Sequence, residues 1–138
     1  MNMQSLFPQL FTFSELAPFI LRIALAVIFI THGYPKLFKA FDQTAQFFES
    51  VGIKPAKFWV LVVGILEFFG GIFLLVGFLT QAVGILLAFQ MLVAMVWVKK
   101  IKFKKGLVDG YEFDLILFVA ALALVFLGPG AFSIDLPL

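Results

Sequence analysis

Cysteine is absent from this chain, which excludes disulfide exchange, thiolate catalysis and Cys-ligated metal centres. There is a single histidine, His32, too few imidazoles for a dedicated transition-metal site. Charge is scarce as well: 13% of residues are ionisable Asp, Glu, Lys or Arg, against about a quarter in a soluble domain. No Lys or Arg precedes Arg22, so the start of the chain lacks the basic region of a cleaved signal peptide. What is present is apolar. Hydrophobic residues make up 63% of the chain, aromatics 17%, and the mean hydropathy is +1.12, which describes an integral membrane protein. Its 138 residues accommodate one compact domain of about four spans at roughly 20 residues each. Nucleic acid does not suit so apolar a chain; the bilayer does, and anionic lipid headgroups account for its lysines.

The hydropathy pattern predicts an all-α, four-helix transmembrane bundle over residues 1–138, with spans at about 16–34, 58–79, 81–98 and 111–127. Phe7, Leu10, Phe11 and Phe13 read as an interfacial segment, and Pro18 suits a first helical turn. Pro35 weakens continuation of the first span. Between spans one and two, Phe38, Phe41, Phe47, Phe48 and Val51 recur at helical spacing, which predicts a short amphipathic helix at the membrane surface. Spans two and three are separated by almost nothing and must be antiparallel neighbours. Gly128-Pro129-Gly130 stops the fourth helix, and the apolar tail after it belongs at the interface.

Lysine placement sets the expected orientation. Lys36, Lys39, Lys54 and Lys57 lie in the first loop; Lys99, Lys100, Lys102, Lys104 and Lys105 lie in the third. With four spans these loops share a side, so both face the cytoplasm and both termini face outward.

The ionisable residues within the spans are costly there and therefore the candidates for function. Arg22 enters about four residues from the outer end of span one, as an interfacial anchor or as one half of an internal ion pair. Glu67 lies roughly 14 Å into span two, near the midplane of a ~30 Å hydrocarbon core. Either Glu67 or Asp135 is a possible partner for Arg22. Gly64 and Gly71 share a helical face with Glu67, which points that face into the bundle. Gln90 lies at similar depth in span three and is placed to donate to Glu67 or to glue helices together. His32 and Lys36 are four apart near the cytoplasmic interface, as anchors or as a cationic site for a polar head or a quinone oxygen. Asp109 and Glu112 have capping-box spacing, while Asp114 lies deeper, on the side of His32 and Lys36. Met91 and Met95 form an adaptable strip with Ala88 and Gly84, most simply core. None of these residues forms a catalytic constellation or a metal-ligand set.

Leu21-Arg22, then His32-Gly33-Tyr34-Pro35-Lys36-Leu37, then Glu67 with Gly70-Gly71 and Gly77, and finally Gly128-Pro129-Gly130-Ala131-Phe132-Ser133-Ile134-Asp135 carry a resemblance to the DoxX family of small four-span bacterial membrane proteins. It runs from about Leu16 to Asp135. The resemblance implies a bacterial cytoplasmic membrane protein, with Arg22, His32, Lys36, Glu67 and Asp135 as site residues. Relatives in that family include a membrane subunit of a thiosulfate:quinone oxidoreductase and a component of a complex resisting oxidative stress. The expectation is an accessory subunit of a membrane redox or stress-defence complex, contacting quinone and docking a soluble or membrane redox partner. The chain has no intrinsic electron carrier, so it supplies at most a pocket or a docking face. Two other classes stay open: a small proton-coupled transporter or lipid-handling protein, in which Glu67 alternates between protonated and paired states, and a purely structural scaffold. On each view the Lys99, Lys100, Lys102, Lys104 and Lys105 segment contacts anionic lipid or an acidic partner.

Overall fold

A computed structural model of the protein describes residues 5–135. Those residues are helical, with no strand among them, and four helices are long and apolar enough to cross a membrane. A short 3-10 segment, Pro8–Phe13, precedes α1, Leu16–Phe38. Next comes α2, Phe41–Ser50, and then α3, Ala56–Val76. The fourth helix, α4, runs Thr80–Val93 and continues in wider π turns over Ala94–Lys102. A kinked turn at Leu107–Tyr111, with Val108 extended and Asp109 left-handed, leads into α5, Glu112–Leu127. The expected interfacial segment therefore exists as an exposed 3-10 turn; residues 1–4 and 136–138 lie outside the described residues.

Helix α1 runs four residues past the expected boundary, because packing overrides the proline. Pro35 removes one N–H from the ladder, yet its own carbonyl accepts from the Lys39 and Ala40 N–H groups, closing the helix end. Lys36 and Leu37 meanwhile pack against Gly64 of α3. The amphipathic α2 buries Ala45, with Val51 just beyond its end, and leaves Asp42, Gln43, Gln46 and Glu49 exposed. Trp97 of the π segment donates its indole N–H to the Val51 carbonyl at 2.9 Å, and the Phe47 and Phe103 rings pack at a 54° tilt with centroids 5.9 Å apart. These contacts pin α2 to the bundle.

The four spans form two close pairs, α1 with α3 and α4 with α5. Glycines set the first pair's register. Gly71 faces Ala26 and Ile30, Gly33 faces Glu67 and Phe68, and Gly64 faces Lys36 and Leu37. Each step toward the C-terminus of α1 is thus a step back along α3, as in an antiparallel contact. Between the pairs lies an apolar core that includes Leu25, Phe29, Leu74, Leu87, Met91, Leu117, Ala121 and Leu124. The outward residues are bulky and apolar, Phe126 at 83% exposure being an extreme case. Such a surface suits acyl chains and not water.

The glycine seam makes a graded prediction. A Cβ at Gly33 would sit 2.5 Å from the Phe68 backbone nitrogen, which cannot move aside, whereas at Gly64 it would meet the flexible end of Leu37 at 2.7 Å. Gly33→Ala should lower stability by about 1–3 kcal/mol through overpacking. In Gly64→Ala the gain in helix propensity, up to ~1 kcal/mol, offsets most of the strain. Gly106→Ala, with nothing within 4 Å of the new Cβ, should carry no packing penalty. Unfolding midpoints in detergent should follow that order.

Candidate functional site

Arg22 is completely buried. Its guanidinium carries five N–H donors in a fixed fork, and five backbone carbonyls receive them. Nε donates to Pro129 at 2.7 Å; Nη1 donates to Leu74 at 2.8 Å and Leu75 at 3.3 Å; Nη2 donates to Ala131 at 2.7 Å and Phe132 at 3.1 Å. Leu74 and Leu75 are in the last turn of α3, where the helix end is negative; the Leu74 carbonyl also accepts from the Gly77 N–H at 3.2 Å. The other three belong to the segment after α5, which folds back as a strap. The Phe19 ring lies 5.5 Å beneath the guanidinium carbon.

The strap ties the spans together. Ala131 N–H donates to the Glu15 carbonyl, Ile134 N–H to Val76 and Asp135 N–H to Gly77. Gly77 adopts φ +71°, and a Cβ there would collide with Ser133 and Arg22, so only glycine lets the strap close. The Asp135 carboxylate accepts from the Leu79 N–H at 2.7 Å and the Thr80 N–H at 2.8 Å, capping α4 from outside that helix. Burial raises the Asp135 pKa, but hydrogen bonds from Thr80 and Leu79 and the Arg22 charge outweigh it and hold the carboxyl below its ordinary range.

Arg22 does not pair with Glu67. Its acceptors Leu74 and Leu75 lie seven and eight residues further along α3, about 11 Å at ~1.5 Å per residue. Glu67 instead joins a second cluster, one carboxylate gathered from three helices. Lys36 Nζ of α1 lies 2.5 Å from Glu67 Oε2, and Gln90 Nε2 of α4 donates to Oε1 at 2.6 Å. Gly33 and Gly64 bring the backbones of α1 and α3 close enough for the lysine to reach back toward the carboxylate. The Glu67 side chain is 6% exposed and that of Lys36 22%, so the cluster is closed on the acid side and ajar on the base side. A carboxylate only accepts, so Gln90 must present its amide nitrogen and turn its oxygen away. Among the described residues Gln90 Oε1 is buried without a donor. The cluster therefore offers spare N–H groups on Lys36 and a spare acceptor on Gln90.

The remaining candidates are elsewhere. His32 is exposed on α1, its ring 6.1 Å from that of Phe113, and takes no part in the Glu67 cluster. Asp114 is buried at the start of α5, with Lys99 Nζ 3.7 Å from its Oδ2. Lys100 lies over Tyr111 and Lys102 over Trp97, at 5.5 and 4.8 Å, so three of the five lysines of that segment have partners within the chain; Lys104 and Lys105 are exposed. Of the expected capping box only one arm forms, Asp109 N–H donating to Glu112 at 3.3 Å, because Asp109 adopts φ +52°. Met91 and Met95 are core. The Arg22 carbonyl cradle and the Lys36–Glu67 pairing are the two features the residue pattern did not disclose.

Loss of the clamp should be costly. Arg22→Gln leaves most of five carbonyls without a donor, at roughly 1–3 kcal/mol for each buried group, so the unfolding midpoint should fall sharply. Arg22→Lys, with three donors and no fork, should fall between. Asp135 carries the pH dependence: with its folded pKa depressed, its contribution is present above the free carboxylate value of about 3.9 and is lost as pH falls through the folded value. Hydrogen exchange at the Leu79 and Thr80 amides should separate wild type from Asp135→Asn at neutral pH, and the two should converge only once acidification has passed below the depressed folded value.

Comparison with known proteins fits this architecture. The family model described as DoxX matches residues 17–100. The chain is 31% identical over 121 residues, covering 88% of itself and 86% of the relative, to a Bacillus subtilis protein named "Putative oxidoreductase CatD". It is 34% identical over 122 residues to "Inner membrane protein YqjF" of Escherichia coli, covering 83% and 85%. A third relative, "Inner membrane protein YphA" of the same organism, is 32% identical over 85 residues, covering 59% and 60%. No solved structure matches significantly. With more than half of the chain matched by that family model and its four apolar helices in place, the protein belongs to the DoxX family.

Proposed function

We propose that this DoxX-family protein is an accessory subunit of a redox or oxidative-stress complex in the bacterial cytoplasmic membrane, and that Lys36, Glu67 and Gln90 form the polar wall of a quinone headgroup site. The observation that carries the reading is the half-open cluster at membrane depth, with donors spare on Lys36 and an acceptor spare on Gln90. A quinone carbonyl accepts and a quinol hydroxyl donates, so one redox couple uses both halves of that complement. The Lys36–Glu67 pair is neutral as a unit, which lets it sit among acyl chains while leaving a proton donor beside the ring. That a relative bears an oxidoreductase name agrees with a redox context. Lys104 and Lys105 remain free to meet anionic lipid or an acidic partner.

The test is the content of the gently purified protein. Organic extracts should contain endogenous quinone; Lys36→Met and Gln90→Leu should each lower it at least about tenfold, as expected when a hydrogen bond to a charged or buried polar group is lost. His32→Ala should leave it unchanged. Quinone absent from repeated wild-type preparations overturns the reading. Pumping or exchange that responds to pH and stops in Glu67→Gln would favour a proton-coupled transporter, and tolerance of every substitution a scaffold.

Orientation belongs to the same reading: the lysine-bearing ends of the spans face the cytoplasm and the strap faces outward. A reporter active only in the cytoplasm should be silent when fused at Leu138 and active when inserted at Gly106.

A further inference from the structure

We propose that the open groove between α2 and the start of α3 is a headgroup site for a phospholipid carrying both a phosphate and a primary ammonium, chemically a phosphatidylethanolamine. This inference is independent of the quinone reading, since it uses different residues at the surface. The groove has a volume of about 670 Å³, with the buried Ala45 in its lining, within the roughly 300–1,000 Å³ typical of small-molecule sites. One wall is α2, where Asp42, Gln46 and Glu49 fall at i, i+4 and i+7 and so share a face. The other wall is the turn into α3, with Lys54 and Lys57.

Two negative charges thus face two positive ones, and the lining is neutral overall. The two ion pairs among the described residues are Lys36–Glu67 and Lys99–Asp114, so none of these four charges is committed to another. A divided but neutral lining matches a zwitterion better than an anion: the lysines take the phosphate, and the carboxylates take the ammonium. A choline head has the same charges but no N–H to donate, so it loses the hydrogen bonds on the acidic wall. The surroundings favour a lipid over a soluble zwitterion. Phe58 and Trp59, 54% and 40% exposed, follow Lys57 directly on α3, and Leu61 and Ile65 continue that exposed apolar surface toward the middle of the span. A headgroup seated among the charges therefore has aromatic and aliphatic surface beside it for its glycerol and acyl chains.

Native mass spectrometry of the full protein, offered dioleoyl phosphatidylethanolamine, phosphatidylcholine and phosphatidylglycerol in equal amounts, tests this. Phosphatidylethanolamine should be retained about three- to fivefold over phosphatidylcholine, the roughly 0.7–1 kcal/mol that an exposed charge contact supplies. The double variant Asp42→Asn, Glu49→Gln should abolish that preference while still binding lipid. The double variant Lys54→Gln, Lys57→Gln should weaken both lipids alike. All four side chains are exposed, so the variants should fold, and circular dichroism checks that they do. Equal retention of the three lipids, preference for phosphatidylglycerol, or a preference unchanged in the acidic-wall variant overturns the proposal.

Discussion

A hydrocarbon solvent hydrogen-bonds to nothing, and that constraint organises this protein. Every backbone carbonyl freed at a helix end must find a donor within the chain. At the end of the bundle where α3 stops and the segment after α5 turns back, two carbonyls of the last α3 turn and three of the strap converge, and Arg22 meets all five with its five N–H groups. No other side chain has the donor count or the planar fork to do this. The charge that looks most anomalous in the sequence is thus fully spent on backbone, and it leaves nothing over for a ligand.

The consequences run along the bundle. Because the strap is held by Arg22, its Asp135 reaches the first N–H groups of α4 and completes that helix from outside. One segment thereby fixes the ends of α1, α3 and α4 against α5, joining the two close pairs at that end. Between the pairs, Gln90 of α4 reaches Glu67 of α3. The polar groups divide accordingly. At the strap the Arg22 donors are all spent and, among the described residues, only the buried Thr80 hydroxyl goes without a partner, whereas the Glu67 cluster retains both an unsatisfied acceptor and a partly exposed amine. Saturation is what a structural role requires, and residual capacity is what a binding role requires.

The sequence told a good deal of this, and its failures have causes. Spans, the amphipathic α2 and the inward face of Glu67 were legible because periodicity and glycine spacing are local properties. The depth of Gln90 was legible for the same reason. The Lys36–Glu67 contact was hidden by Pro35: a proline argues for ending the helix, and an ended helix points Lys36 away. Had α1 been carried to Phe38, the run Gly33, Gly64 and Gly71 would have placed Lys36 beside Gly64, one turn from Glu67. The Arg22 cradle was hidden for a different reason. Its partners are carbonyls, which every residue carries, so no side-chain pattern marks them; only the glycines at 77 and 130, both at φ +71°, hint that backbone must pass closely there.

Asp114 shows how far such reasoning extends. It is as buried as Glu67, at 7% against 5% exposure, and it too faces a lysine. Yet Lys99 stands 3.7 Å away where Lys36 is within 2.5 Å of its acid, and no amide joins the pair. Lys99 is also the more exposed partner and belongs to a segment whose neighbouring lysines lie over Tyr111 and Trp97. In this looser pair the lysine is open to water or headgroups while Asp114 Oδ2 stays buried without a hydrogen bond, so the contact itself is worth little. In the Glu67 cluster only the Lys36 side is open, and the carboxylate itself is closed off at 6% exposure. Depth, closeness and a third helix distinguish it from a pair of the same chemical type, and those three properties are what make it the better place to look for a ligand.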